Sequence, residues 1–405
     1  MLTIEMLERA LHIHQVLTGL VLAGGNFQQL AVTLADLIGH SISIETETFE
    51  ALASHNIAPV DEARRYTQSE GKTNPTLIAA LESNGTLAEI RRTLKPKRLP
   101  QLPDLGLEME RILAPIVVHG GIYGYLWIIA DDRPLNKLDE VAIESGATVA
   151  ALMRLHQEMV ANAEASVKGG LLAQLIEGDR DRMDSLTDQA LRYGVDLNAP
   201  FVVVRIDRAD GGAHRLTFQR EIARALADAR AVIGEFAGEV VALMNRTSAI
   251  DAQLASMHAA IDGLRLGVSA SVRGAGAVGA AYRQSRDALH IAAKVGIDDH
   301  PTILFERLGY LHTLYQAGEG ALHANPFVPM LRLLRVELQA DLFHTLEVYL
   351  DAGANGVQTA EELMIHRSTL NYRLQRIAEV CAVNLGDPVT RTNLQVAIKL
   401  VRLFE

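Results

Sequence analysis

Between Thr359 and Ile377 the chain gathers side chains that hydrogen-bond to nucleic acid: Arg367, Ser368, Thr369, Asn371, Tyr372, Arg373, Gln375 and Arg376. Arginine offers a forked donor set to guanine or phosphate, Asn and Gln can pair with adenine, and Ser or Thr hold backbone oxygens. Their spacing is helical. Leu370, Leu374 and Ile377 lie four and three apart and share one face. At about 100° per residue, the opposite face carries Ser368, Tyr372, Gln375 and Arg376. Thr369, Asn371 and Arg373 flank that face, and Arg367 stands at the entrance of a helix expected to begin near His366 or Arg367. From His366 to Ile377 there are three arginines and no acid. A shorter helix should precede it, with Thr359 and Glu362 as a capping box and Leu363 as its main apolar anchor. In such a pair the first helix crosses a DNA backbone and the second enters the major groove. The same pattern also describes a surface hairpin with a solvated arginine face.

The run His366-Arg367-Ser368-Thr369-Leu370-Asn371-Tyr372-Arg373-Leu374-Gln375-Arg376-Ile377 resembles the helix-turn-helix signature of PucR/CdaR-type transcriptional regulators. That family usually shows His-Arg-Asn-Thr-Leu-Arg-Tyr-Arg-Leu followed by a basic pair and Ile. Leu385-Gly386-Asp387-Pro388 and the helix through Leu394, Ala397, Leu400 and Leu403 also match. Three positions depart: Ser368 replaces Asn, Asn371 replaces Arg, and Gln375 replaces a basic residue. The resemblance implies an all-α helix-turn-helix domain over residues 341–405 and double-stranded operator DNA as partner. It further implies a ligand-responsive bacterial regulator of a catabolic or metabolic operon. The departures lower the positive charge of the reading helix, so DNA affinity should lean more on a homodimer or higher homo-oligomer.

The elements that must position this helix fill 405 residues, enough for two to four domains. Few aromatics and abundant Ala, Leu and Val favour helix-rich α/β material. Net charge is 38 − 49 = −11, a poor basis for non-specific polyanion binding. From Val357 onward six Lys/Arg face five Asp/Glu, a local balance of +1. The single cysteine, Cys381, sits among apolar residues and can form no internal disulfide or thiolate cluster. It reads as a buried structural residue. Glu5 and Glu8 beside Arg9 do not make a signal peptide. The most apolar run, Gly121 to Ala130, is about half a membrane span. A cytoplasmic protein without a membrane partner is expected. His12 and His14 diverge on a helix, and no zinc spacing occurs elsewhere, so neither metal, cofactor nor catalytic residue is expected.

Residues 1–160 read as an α/β domain. A helix near Asn26 to Ile38 leads to an alternating strand, Ser41 to Thr46, with Ser41, Ser43 and Glu45 on one face. Glu50 to His55 could pair with it. Leu94 to Pro103, basic and Pro-containing, reads as a loop. Arg111 to His119 and Gly124 to Ala130 are strands joined by Gly120-Gly121-Ile122-Tyr123, and Asn136 starts a long helix to about Ala165. This ending resembles a GAF-type domain, which implies a small-molecule effector in a pocket over the sheet. Candidate lining residues are His40, Ser43, Glu45, His119, Tyr123, Tyr125 and Trp127, each of which also reads as a packing residue. The long helix has a rough apolar stripe that could pair with a second chain or close the sheet.

Residues 165–300 read as a second α/β domain. Its strands are Pro200 to Asp207, Ala231 to Ile233, Glu239 to Met244 and Leu264 to Ser271. Its helices are Leu216 to Ala229 and Val278 to Val295. The stretch Val268 to Ala293, with Tyr282, Ser285-Arg286 and Ala288-Leu289, resembles the degenerate GGDEF-like domain of the same regulators. A cyclase needs a Gly-Gly-acid-acid hairpin, whereas Gly234-Glu235-Phe236-Ala237-Gly238-Glu239 stands here, so no cyclase activity is expected. Gly274-Ala275-Gly276 lacks the Gly-Lys-Ser/Thr of a phosphate loop. Residues 301–340, with Phe305-Glu306-Arg307-Leu308-Gly309, form a helical bridge. The fold class is therefore multidomain: GAF-like α/β, degenerate GGDEF-like α/β, and helix-turn-helix.

Overall fold

Alternating side chains build the first sheet and sort its two faces. The structure is a computed structural model describing residues 4–131, 133–178, 180–208, 218, 221–222, 224–226, 230–297, 300–336 and 342–405. It divides into two units, residues 1–163 and 164–405.

In the first unit the elements run α1 (Ile4–Leu22), α2 (Phe27–Ile38), β1 (Ser41–Thr46), β2 (Ala51–His55), α3 (Glu62–Glu70), α4 (Pro75–Ser83) and α5 (Thr86–Thr93). Then come β3 (Lys97–Leu99), β4 (Arg111–Val118), β5 (Gly121–Ile129) and α6 (Lys137–Glu177), which continues into the second unit. The strands make an antiparallel sheet in the order β2-β1-β5-β4-β3. Ile42, Ile44, Ile112, Ala114, Leu126 and Ile128 point to one face and pack with Leu17, Leu30, Leu34, Ile143 and Val149 from α1, α2 and α6. The other face carries Ser43, Glu45, Leu113, Tyr125 and Trp127, opposite one another across the ladder. Leu77, Leu81, Leu87 and Ile90 of α4 and α5 cover its apolar part.

The strand-turn-strand-long-helix ending of a GAF-like domain is present as β4, β5 and α6. The β4–β5 turn is shorter than the sequence suggested. Val118 pairs with Gly121, and His119 and Gly120 make the turn with φ of 52° and 78°, the left-handed pair that a two-residue hairpin demands. The expected loop from Leu94 to Pro103 contains β3, an edge strand too short to show periodicity. α6 runs well past Ala165.

The second unit continues with α7 (Met183–Arg192), β6 (Phe201–Arg208), β7 (Ala231–Phe236), β8 (Glu239–Asn245), α8 (Ile250–Ala260), β9 (Leu264–Val268), α9 (Val278–Val295) and β10 (Thr302–Leu304). Its sheet order is β10-β9-β6-β8-β7, with β10 parallel to β9 and the other pairs antiparallel. The expected helix Leu216 to Ala229 lies largely outside the described residues. Gly234 is not part of the hairpin turn, which is Ala237-Gly238. It sits in β7 opposite Val241. A Cβ on Gly234 would lie 2.6 Å from Gly169 Cα, so a glycine here lets α6 pack against the strand.

The remaining helices are α10 (Tyr310–Ala324, broken at Gly318), α11 (Val328–Val336), α12 (Leu342–Asp351), α13 (Gly356–Glu362), α14 (Arg367–Cys381) and α15 (Pro388–Phe404). Leu322, Val328, Leu331 and Leu334, from the stretch read as a bridge, share one core with Leu346, Ile377, Leu394 and Ile398. The helix-turn-helix thus has more structural support than residues 341–405 supply alone.

Candidate functional site

Two features of the second unit fix the helical pair. Asn355 caps α13: its Oδ1 accepts the N–H groups of Val357 at 3.0 Å and Gln358 at 3.3 Å. Thr359, expected as the cap, lies inside the helix, fully buried, and its hydroxyl donates to the Asn355 carbonyl at 2.7 Å. The reason is local. Gly353 and Ala354 both take left-handed φ, turning the chain early enough for Asn355 to cap. The capping-box reading of Thr359 and Glu362 is therefore corrected, and Thr359 and Ala360, rather than the half-buried Leu363, are the buried residues of α13.

The second helix begins as its apolar spacing indicated. His366 caps α14, its Nδ1 accepting the Ser368 N–H at 3.3 Å, with the Ser368 hydroxyl 2.7 Å away. Leu370 and Ile377 are buried and Leu374 half-buried. The helix continues to Cys381 and so includes an acid that the signature window missed. Glu379 lies 3.7 Å from Arg376 and accepts from Gln375 at 3.2 Å.

Arg367, Ser368, Thr369, Asn371, Tyr372, Gln375 and Arg376 are all exposed, Tyr372 at 70%. Arg373 is placed differently. It is half-buried and donates to Thr345 Oγ1 on α12 at 3.1 Å, which makes it a positioning residue. Nothing in the sequence marked Thr345. The other cations after Val357 are also engaged internally. Arg391 holds the Leu385 carbonyl, Lys399 pairs with Asp351 at 2.7 Å, and Arg402 pairs with Glu347 at 2.6 Å. Arg367 and Arg376 remain as the outward cations of the reading face.

In the first unit, the structure splits the candidate lining residues. Ser43, Glu45, Tyr125 and Trp127 come together, buried, on the face under α3. Glu45 accepts from Ser43 Oγ at 3.0 Å, Thr73 Oγ1 at 3.0 Å and Trp127 Nε1 at 2.9 Å. Burial raises its carboxyl above the ordinary range, against those hydrogen bonds and the Arg64 charge. Phe49 stacks on Tyr125 at 4.6 Å.

The other three lie elsewhere. His40 is buried at the head of β1, its Nδ1 accepting the Asp131 N–H and its Nε2 3.6 Å from Asp139. His119 sits in the hairpin turn with its side chain 73% exposed, beside Glu158. Tyr123 falls where the β4–β5 register shifts. That bulge turns its ring to the opposite face, against Phe27 and under Arg154, whereas simple alternation would group it with Tyr125.

Sequence reasoning missed Arg64, Asp61 and Arg111. Arg64 is buried and donates to Ser43 Oγ at 2.9 Å. Asp61 caps α3 and takes Arg111 Nη2 at 2.5 Å. The only signal was a polar i, i+3 row, Asp61-Arg64-Thr67, which also fits a solvated helix. Among the described residues, no group of three or more His, Cys, Asp or Glu is placed to hold a metal ion. Glu239 of the β7–β8 hairpin receives the Tyr282 hydroxyl at 2.7 Å and pairs with Arg205 at 3.1 Å.

Comparison with known proteins gives two family matches, the PucR C-terminal helix-turn-helix domain over residues 342–400 and the GGDEF-like domain over 177–291. The chain is 23% identical to the proline-responsive transcriptional activator PutR of Bacillus subtilis, covering 91% of this chain and 96% of that one. It is 22% identical to the DNA-binding transcriptional activator AdeR of the same organism, with 92% of each chain covered. The carbohydrate diacid regulator of Escherichia coli is 25% identical over 72% of this chain and 80% of its own. With both matched domains in place and similar relatives spanning nearly its whole length, the chain carries a GGDEF-like domain and a PucR C-terminal helix-turn-helix domain, the latter built here around α13 and α14, and is similar to the PucR/CdaR-type transcriptional regulators.

Proposed function

We propose that residues 1–160 bind a small catabolic substrate and that this binding sets how a homodimer occupies operator DNA. The observation that carries the reading is the exposed face of α14, where Arg367 and Arg376 flank Ser368, Asn371, Tyr372 and Gln375. Two outward cations make a weak single head, and a second half-site restores affinity. α1 and α6 offer a surface for a second copy. Ile4, Leu7 and Leu11 on α1, and Leu152 and Met159 on α6, are exposed at helical spacing. The first relative is named for its response to proline and the third for carbohydrate diacids, which supports a small polar metabolite as effector. A ligand acts only through its different affinity for two arrangements of the heads.

The GGDEF-like domain is proposed to lack cyclase activity, because Glu239 is occupied by Tyr282 and Arg205. Operator binding places the chain in the cytoplasm. Separately, among the described residues no helix is long and apolar enough to cross a membrane.

The test is fluorescence anisotropy with DNA from the chain's own upstream region. Arg367→Ala and Arg376→Ala should each weaken binding and reduce its salt dependence. Affinity unchanged in both variants would sink the assignment.

A further inference from the structure

The layer between α3 and the sheet is the most polar part of the first unit's interior. Two guanidinium groups lie in it, Arg64 and Arg111, with two carboxylates, Glu45 and Asp61, and all four side chains are buried. Asp61 Oδ1 accepts both the Arg64 backbone N–H and Arg111 Nη2, so the two arginines share one anchor. Each arginine nevertheless keeps a buried N–H without a partner among the described residues, Nη2 of Arg64 and Nε of Arg111. Buried donors of charged groups are costly to leave unmade.

α3 is also attached unlike its neighbours. α4 and α5 hold on through Leu77, Leu81, Leu87 and Ile90. α3 contributes Ala63 and otherwise polar links: Asp61 to Arg111, Arg64 to Ser43, and Thr67 to Thr73. Such links can be exchanged for the polar groups of a guest.

We infer that this layer binds a zwitterion, an α-amino acid or close analogue, whose carboxylate takes the unpartnered N–H groups of Arg64 and Arg111 and whose ammonium sits beside Glu45. The inference rests on the reading of residues 1–160 as a sensor. Charge balance selects the ligand class. With both carboxylates ionised, the two cations and two anions leave the layer neutral. A plain carboxylate would leave one buried negative charge uncompensated, and a plain amine one positive charge, whereas a zwitterion preserves the balance. Glu45 has acceptor capacity for it, since its two oxygens offer about four lone-pair sites and take three donors. α3 is then the element that lifts to admit the ligand.

The experiment is a thermal-shift and calorimetric screen of the full chain with the twenty L-amino acids. Each hit is compared with its plain acid and its plain amine, such as L-alanine against propionate and ethylamine. At least one amino acid should raise Tm while its two analogues do not. Arg64→Lys should weaken that binding on the order of 10- to 100-fold. Glu45→Gln keeps the side chain's shape, removes its charge and reverses the preference, so that the plain acid binds better than the amino acid. If Arg64→Lys fails to fold, the Glu45→Gln reversal alone decides. A metabolite of another class that binds with unchanged Kd in both variants overturns this site and leaves the sensor reading standing. Binding of nothing from a wide metabolite panel overturns both.

Discussion

The guanidinium of Arg373 donates to the hydroxyl of Thr345 at 3.1 Å, tying the reading helix α14 to α12. One of the three signature arginines therefore faces the protein. The tether sets how α14 projects, and with it the frame from which the exposed Arg367 and Arg376 are presented.

Arg373→Ala should lower the stability of the second unit by about 1.5–3 kcal/mol, the worth of a hydrogen bond from a charged group, and weaken operator binding as a consequence. The Arg367 side chain makes no hydrogen bond or ion pair among the described residues, so Arg367→Ala should leave Tm unchanged. Its effect should appear as a salt slope reduced by about one counterion. Chemical denaturation and anisotropy at several salt concentrations separate the two roles. Equal losses of stability in both variants would contradict the assignment.

The cap of α13 gives a second test. Asn355→Ala should cost about 1 kcal/mol, because two N–H groups at the helix start lose their acceptor. Glu362→Ala, at the exposed end of the same helix, should be near neutral by urea titration. A capping box at Thr359 and Glu362 would require the opposite ranking.

That ranking shows where sequence and structure diverge. The apolar face of α14 was legible because Leu370, Leu374 and Ile377 repeat with the helical period. β1 was legible because Ser41 to Thr46 alternates. Asn355 escaped notice because its capping depends on the left-handed residues Gly353 and Ala354 before it. In the candidate ligand face, Ser43, Glu45, Tyr125 and Trp127 came together because cross-strand pairing preserves sidedness. Tyr123 did not, since a one-residue bulge reverses sidedness locally. Arg64 and Arg111 belong to elements far apart in sequence and meet at Asp61, a contact that no period encodes.

Gly234 and Gly169 supply a packing prediction. Gly234→Ala would set a methyl 2.6 Å from Gly169 Cα, which is backbone and cannot step aside. The expected loss is about 1–3 kcal/mol, as for other overpacked sites. Gly276→Ala, with nothing within 4 Å of its added Cβ, is the control and should be close to neutral. Comparable losses in the two variants would show that the close approach does not matter.

Glu45 and Asp139 should give the first unit opposite responses to pH. Burial lifts the Glu45 carboxyl above its unfolded value. The folded state then holds that proton more tightly, so the associated stability is present below the unfolded pKa and is lost as pH rises through the folded one. Burial would lift Asp139 as well, but the Arg133 guanidinium, then His40 and the Asn136 N–H, outweigh it and hold the carboxyl well below the usual range. Its contribution is present above the unfolded pKa and disappears as pH falls through the folded one. Glu45→Gln should therefore gain stability relative to the parent as pH rises from about 4 toward 8, starting from the ordinary carboxylate range. Asp139→Asn should be less stable than the parent at neutral pH, with the gap narrowing in strong acid. Denaturant titrations of the parent and both variants across that range test the signs. A Glu45→Gln difference that is flat with pH would show that Glu45 does not titrate with a raised pKa in the folded chain.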